Sequence, residues 1–235
     1  MRLCGSLQLC VKQKMSIHKN KYNQILEELN GKAAMVAVSK TKPIEDILAL
    51  YELGQRDFGE NYVQELVDKY EALPKDIRWH FIGHLQSNKV KYIAPFIHLI
   101  HGVDSLSLLK EINKQGLKNN RVIDCLLQVY IAKEETKFGL DSKELDLVMN
   151  QFGSLEMKNV RICGLMGMAS FSNNMDLVRS EFKYLKSLFD ANAQYSIINI
   201  QYSILSMGMS NDYTIALEEG SNMVRIGSLL FGERT

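Results

Sequence analysis

The sequence predicts an α/β protein folded as a single closed (β/α)8 TIM barrel with an extra N-terminal helix. Three observations lead there. Eight strand-like segments alternate with helical patterns, and strands separated by helices pair in parallel because a parallel neighbour needs a crossover. The 235 residues match the usual size of one such barrel. The strand ends turn abruptly from apolar to polar and glycine-rich, and barrels gather their chemistry at those ends. An open doubly wound sheet is the runner-up, but it calls for a Gly-rich loop after the first strand, where this chain has "SKTKP".

The elements follow in order. "SIHKNKYNQILEELNG" reads as a helix with Ser16 as N-cap, Gly31 as its stop, and Tyr22, Ile25, Leu26 and Leu29 on one face. Residues 33–38 form the first strand. Pro43 suits the first position of the next helix, whose Ile44, Ile47, Leu48 and Tyr51 recur at i, i+3, i+4, i+7 until Gly54. Further strands are expected at 56–59, 79–83, 97–103, 122–131, 160–168, 197–205 and 223–230. Val63, Leu66, Val67 and Tyr70 mark one intervening helix. Leu145, Val148, Met149 and Phe152 mark another, opened by a capping box of Asp141 and Glu144. Val178, Phe182, Leu185 and Phe189 mark a third, with shorter helices at 87–95, 106–116 and 212–220. No linker or composition shift suggests a second domain. Residues 1–14 read as an upstream extension, with Met15 as an alternative start, and residues 15–235 as the barrel.

Composition narrows the function classes. Hydrophobic content of 46% and charged content of 23% describe a globular protein with ample core. A net charge of +1 offers no global field for nucleic acid or an anionic membrane, so an anionic ligand must be held locally. No apolar run approaches the roughly 20 residues of a membrane span. Cys4, Cys10, Cys125 and Cys163 lack metal-ligand spacing, Cys125 and Cys163 read as buried hydrophobes, and a reducing cytoplasm fits. His80 and His84 are four apart without an HExxH context, so no metal site is expected.

The strand ends carry Lys40, "FGENY", "FIGHLQSNK", "GLMGMAS", "LSMGMS" and "VRIGS". Ser206, Gly208 and Ser210 precede one helix, and Gly227 and Ser228 follow the last strand. Glycine lets a backbone approach an anion, hydroxyls donate, and barrels bind phosphate after strands seven and eight, so a phosphate site is expected there. Two readings of Lys40 stand. On a strand of period two it shares a face with Ala34, Val36 and Val38; if that face is interior, its amine is a nucleophile toward carbonyls. Otherwise it snorkels to solvent, as most strand-end lysines do. Lys42, beside Pro43, is expected to be exposed. Arg225 interrupts an apolar strand and must contact an acceptor, either a structural carboxylate or a ligand atom. Glu60 and Glu65 read as a solvated helix start. The methionines around positions 166, 168, 207 and 209 face a cofactor or fill core gaps.

Taken together, "AVSKTKP", "FGENYVQE", "WHFIGHLQSNK", "GLMGM", "LSMGMSND" and "GSNMVRIGSLLFGER" resemble the YggS/PROSC family, the pyridoxal phosphate (PLP) homeostasis proteins. The motifs occur in family order over nearly the whole chain beyond the extension. The resemblance implies a barrel related to the N-terminal domain of alanine racemases, with PLP as a Schiff base on Lys40. It implies a phosphate cup of Ser206, Gly227 and Ser228, with backbone help from Met207 and Gly208. It puts Arg225 at the pyridine nitrogen, and Asn61, His84 and Met166 in motifs around the cofactor mouth.

An arginine at that nitrogen donates and disfavours ring protonation, which makes PLP a weaker electron sink. The expected function is therefore a monomeric PLP carrier or buffer in vitamin B6 and amino-acid homeostasis, in transient contact with recipient PLP enzymes. It has no expected dedicated catalysis and no nucleic-acid or membrane partner. The alternatives are a weak or vestigial amino-acid racemase, and a PLP-free barrel acting on a sugar phosphate.

Overall fold

The computed structural model describes residues 17–132, 138–193 and 200–232. The expected extension, the Ser16 cap, Cys4 and Cys10 lie outside them. Eight strands close into a barrel in which each pairs in parallel with the next and β8 returns to β1. They are β1 Ala34–Val38, β2 Asp57–Glu60, β3 Arg78–Phe81, β4 Leu99–Val103, β5 Ile123–Val129, β6 Val160–Gly167, β7 Ile200–Met209 and β8 Met223–Ile226. All eight expected strands are present.

Nine α-helices occur among the described residues. α1 (Lys19–Leu29) precedes β1, and α2 (Ile44–Glu52) and α3 (Val63–Ala72) follow β1 and β2. α4 (Val90–Ile93), entered through a 3-10 turn at Ser87–Lys89, follows β3. α5 (Leu106–Lys118), α6 (Ser142–Ser154), α7 (Met175–Asn192) and α8 (Tyr213–Glu218) follow the next four strands, and α9 (Ser228–Phe231) follows β8.

Local chemistry explains most boundaries. The capping box of α6 forms as expected: Asp141 accepts from the Glu144 amide at 2.8 Å and Glu144 accepts from the Asp141 amide at 3.0 Å. Three ends differ from the sequence reading. Asn30, with φ 45°, is the C-cap of α1 one residue before Gly31. Pro43 is the N-cap of α2 and not its first residue. The last strand stops at Ile226, where Ser228 opens α9 in place of the strand expected to run to 230.

β7 is the more consequential difference, because it runs four residues past the expected end at Leu205. Polar and glycine residues read as loop, but the β7–β8 pairing absorbs them through a register shift between Ser206 and Met209. Gly208 makes this possible: its φ is 96°, and a Cβ there would lie 2.6 Å from that of Ala216.

Two apolar layers result. Between sheet and helices lie Phe58, Trp79, Phe81, Phe182 and Phe231, all buried. Inside the barrel a smaller cluster comprises Val36, Leu99, Leu126, Cys163, Met166 and Met223. Val36 points inward while Met35 and Ala37 join the outer layer, so the period-two reading of β1 holds.

A buried ion pair fixes the turn after β1. Lys69 of α3 donates to the Glu60 carboxylate (2.8 Å), the Glu65 carboxylate (2.7 Å) and the Ser39 carbonyl (2.8 Å). Ser39 donates to Glu60 at 2.6 Å, and Glu65 accepts the Thr41 amide at 2.6 Å. Thr41 sits at φ 63°, a conformation a β-branched residue adopts only when its surroundings impose it. Glu60 is thus fully buried and not the solvated helix start expected of it. Burial pushes its carboxyl up, against the pull of Lys69.

Removing one partner of a buried pair strands the other charge. Lys69→Met should therefore cost about 3–5 kcal/mol in urea unfolding at neutral pH. Because the folded-state pKa of Glu60 lies above its unfolded value, the folded protein holds that proton more tightly. The penalty should be full above the folded pKa and shrink as acidification neutralises Glu60. A loss that is small, or independent of pH, would contradict this role.

Candidate functional site

The C-terminal ends of the strands surround a cavity of about 480 Å³, within the range of small-ligand sites. β1 contributes Val38 and the turn after it Lys40, the segment after β2 contributes Asn61, and Met168 follows β6. Met209 ends β7, Ser210 and Asp212 come from the turn after it, and Arg225, Gly227 and Ser228 from β8 and the start of α9.

Lys40 continues the inward face of Val36 and Val38 and reaches the cavity half-buried, held by the turn described above. Lys42 is half-buried in the same cavity, in contrast to its expected exposure, and donates to the carbonyls of Phe231 (2.9 Å) and Gly232 (3.5 Å). That contact ties the start of α2 to the end of α9 across the β1–β8 seam.

Arg225 is 4% exposed. Its Nη1 donates to the Ser206 carbonyl (3.0 Å) and Oγ (2.6 Å), and its Nη2 donates to the Gly167 carbonyl at 3.0 Å. The structural-carboxylate alternative is not what forms: these contacts go to two carbonyls and a hydroxyl. Burial lowers its guanidinium to about 10, with Asp212 opposing, so it stays charged at neutral pH. A guanidinium has five N–H donors, and the remaining ones have no protein acceptor among the described residues. Asn61 supplies the converse, a buried Oδ1 with no donor.

Opposite Arg225 the turn at 209–212 closes through two bonds, with the Met209 amide donating to Asp212 Oδ1 at 2.5 Å and the Asp212 amide to the Met209 carbonyl at 3.1 Å. Ser210 stands at its tip, where its Oγ accepts from the Gly227 amide at 3.2 Å, leaving its own proton to donate elsewhere. Ser228 is adjacent.

The structure brings Lys40, Asn61, Arg225, Gly227 and Ser228 to one cavity and displaces the other expected residues. Ser206 is fully buried one layer below, where its hydroxyl serves Arg225. Met207 points into the outer core and its carbonyl is taken by Ser221 at 2.7 Å. Gly208 is the bulge under α8. The cavity is instead met by Met209 and Ser210, because the strand carries on past 205. Met166 belongs to the barrel interior, and Met168, two residues on, takes the wall position. His84 is exposed outside the cavity, 3.2 Å from Asp104 and stacked on Phe138. Sequence reasoning missed Lys69; its signal was a lysine three residues after Leu66 on the inward stripe of α3.

A second cluster lies toward the other end of the barrel. Asp57, His80 and His98 bring ligand-type atoms within 4.8 Å of one another. Both Asp57 oxygens, however, are engaged by Arg78 at 2.7 and 2.5 Å, so the carboxylate serves an ion pair. Burial alone would raise the Asp57 carboxyl, but Arg78 and His80 hold it well below the usual carboxylate range.

Comparison with known proteins agrees with this architecture. The family model for the alanine racemase N-terminal domain matches residues 16–235. The pyridoxal phosphate homeostasis protein of Aquifex aeolicus is 45% identical over 204 residues, covering 86% of this chain and 87% of the relative. The structure of PipY from Synechococcus elongatus without PLP superposes with a TM-score of 0.84 at 32% identity, covering 91% of this chain and 99% of that one. The same protein with PLP bound gives 0.82 at 31% identity over the same shares. On these matches, the chain belongs to the alanine racemase N-terminal domain family, among the pyridoxal phosphate homeostasis proteins.

Proposed function

We propose that the cavity binds pyridoxal 5′-phosphate and that the protein carries or buffers this cofactor in vitamin B6 and amino-acid homeostasis. The observation that carries this reading is the PLP-bound relative PipY, which shares the fold and 31% of the sequence. The groups around the cavity fit such a ligand. An aldehyde calls for an amine, and Lys40 is the candidate because it follows Val36 and Val38 on the inward face and lines the cavity. A ring nitrogen calls for a donor, which the remaining N–H groups of Arg225 supply. Asn61 Oδ1 awaits a hydroxyl donor. A phosphate calls for hydroxyls, amides and positive charge, offered by Ser210 and Ser228 on the turns after β7 and β8 with Lys40, Lys42 and Arg225 nearby.

PLP supplies an electron sink for carbanions when its ring is protonated. Arg225 can only donate, so it leaves the ring nitrogen unprotonated and weakens that sink. The residues thus favour retention and release over catalysis. The proposal extends to a monomer in a reducing cytoplasm, in keeping with the free, buried thiols of Cys125 and Cys163. Its transient partners are apo forms of PLP-dependent enzymes.

Borohydride reduction followed by peptide mapping should leave the cofactor on Lys40, and Lys40→Ala should lose the visible absorption of bound PLP. Unchanged absorption in that variant would rule out this amine. Ser228→Ala should weaken PLP binding by about 1.5–3 kcal/mol, the worth of a hydrogen bond to a charged group. Equilibrium titration measures this, and an unaltered Kd would remove Ser228 from the phosphate site.

A further inference from the structure

A string of polar side chains runs down the inside of the barrel, past the apolar interior cluster. Arg225 Nη1 lies 2.6 Å from Ser206 Oγ, which lies 3.3 Å from His101 Nδ1. His101 Nε2 is 2.9 Å from His80 Nδ1, and His80 Nε2 is 3.0 Å from Asp57 Oδ1 at the start of β2. Ser206 and His101 are fully buried and His80 is 1% exposed, so these groups depend on one another for hydrogen bonds.

When both imidazoles are neutral, the Asp57 end determines every proton from there to Ser206. Arginine can only donate and a carboxylate can only accept. His80 must therefore place its proton on Nε2 for Asp57, which makes its Nδ1 an acceptor. His101 must then place its proton on Nε2 for His80, so its Nδ1 accepts from the Ser206 hydroxyl. Ser206 Oγ is left to accept from Arg225. One arrangement then satisfies all four contacts, and burial, with the Arg225 charge beside it, pushes the His101 imidazole well below its ordinary value.

We propose that His101 and His80 are positioning residues for the cavity. Their tautomers, set by Asp57 at the far end of the barrel, hold the Ser206 hydroxyl as an acceptor for Arg225 and keep the guanidinium's other donors aimed at the ligand. The inference rests on the PLP reading only for the identity of that ligand.

The amides make the test. At position 101 an asparagine overlays Nδ1 and keeps an acceptor for Ser206, whereas a glutamine overlays Nε2 and keeps only the contact to His80. His101→Gln should weaken PLP binding about tenfold, the worth of one hydrogen bond. His101→Asn should retain most of the affinity, although both variants lose stability. Affinities that fall in parallel with the melting temperatures would reduce His101 to a structural role and overturn the proposal.

Nitrogen-15 NMR of the ligand-free wild-type protein reads the tautomers directly, without any cofactor. Both imidazoles should appear neutral with the proton on Nε2, and a proton on His101 Nδ1 would overturn the proposal even if the variants behaved as expected. Should the wild-type protein fail to bind PLP, the cofactor reading falls, while the NMR result still decides the string.

Discussion

A permanently charged guanidinium inside an apolar barrel is the constraint around which this structure is arranged. Arg225 points inward from β8 among Met223, Met166 and Val36, and leaving its donors unmade there would cost several kcal/mol. Two carbonyls and a hydroxyl are brought to it from β6 and β7. Reaching it requires β7 to extend past Leu205 and to bulge at Gly208. The same bulge delivers Ser210 to the cavity wall and sets α8 against β7. One buried charge thus determines the path of the chain on the side of the mouth where an anion is expected to sit.

The opposite side of the mouth is held by different means. Lys40 stands on a turn containing a strained threonine, and the strain is maintained because three groups of that turn are bonded to the Glu60–Lys69–Glu65 cluster behind it. The cluster lies between sheet and α3, away from the ligand, and acts only by fixing where the Lys40 backbone can be. Lys42 then straps the start of α2 to the end of α9, joining the two sides of the mouth built from β1 and from β8.

Much of this was legible in the sequence, and the misses have a common origin. Alternating apolar and amphipathic segments gave all eight strands, period two put Val36 and Lys40 on one face, and of the two readings left open for Lys40 the structure has the one in which it lines the cavity. The motif resemblance correctly singled out the family. What failed were positions where a polar residue is buried by partners distant in sequence. Glu60 read as a solvated helix start because Lys69 and Ser39 are not its neighbours along the chain. Ser206 read as a phosphate ligand because hydroxyls near glycines resemble a loop; it lies in a strand, satisfied by Arg225 and His101. His84 is a different case: it lies in a matching motif but is exposed, against Asp104 and Phe138. Short-range patterns report secondary structure well and report the partner of a buried polar group poorly.

The two buried cations are compensated in opposite ways, and that difference bears on the ligand. Lys69 meets two carboxylates, so its charge is neutralised where it stands. Arg225 meets only neutral oxygens, with Asp212 acting on it from a distance, and its charge is left for something else to balance. Because the chain as a whole is nearly neutral, this local excess is not part of a general basic surface. A low-dielectric cavity with surplus positive charge and unmade donors favours an anion rich in acceptors, and every such contact also relieves the desolvated guanidinium. Ligand binding and barrel stability are therefore expected to be linked through Arg225.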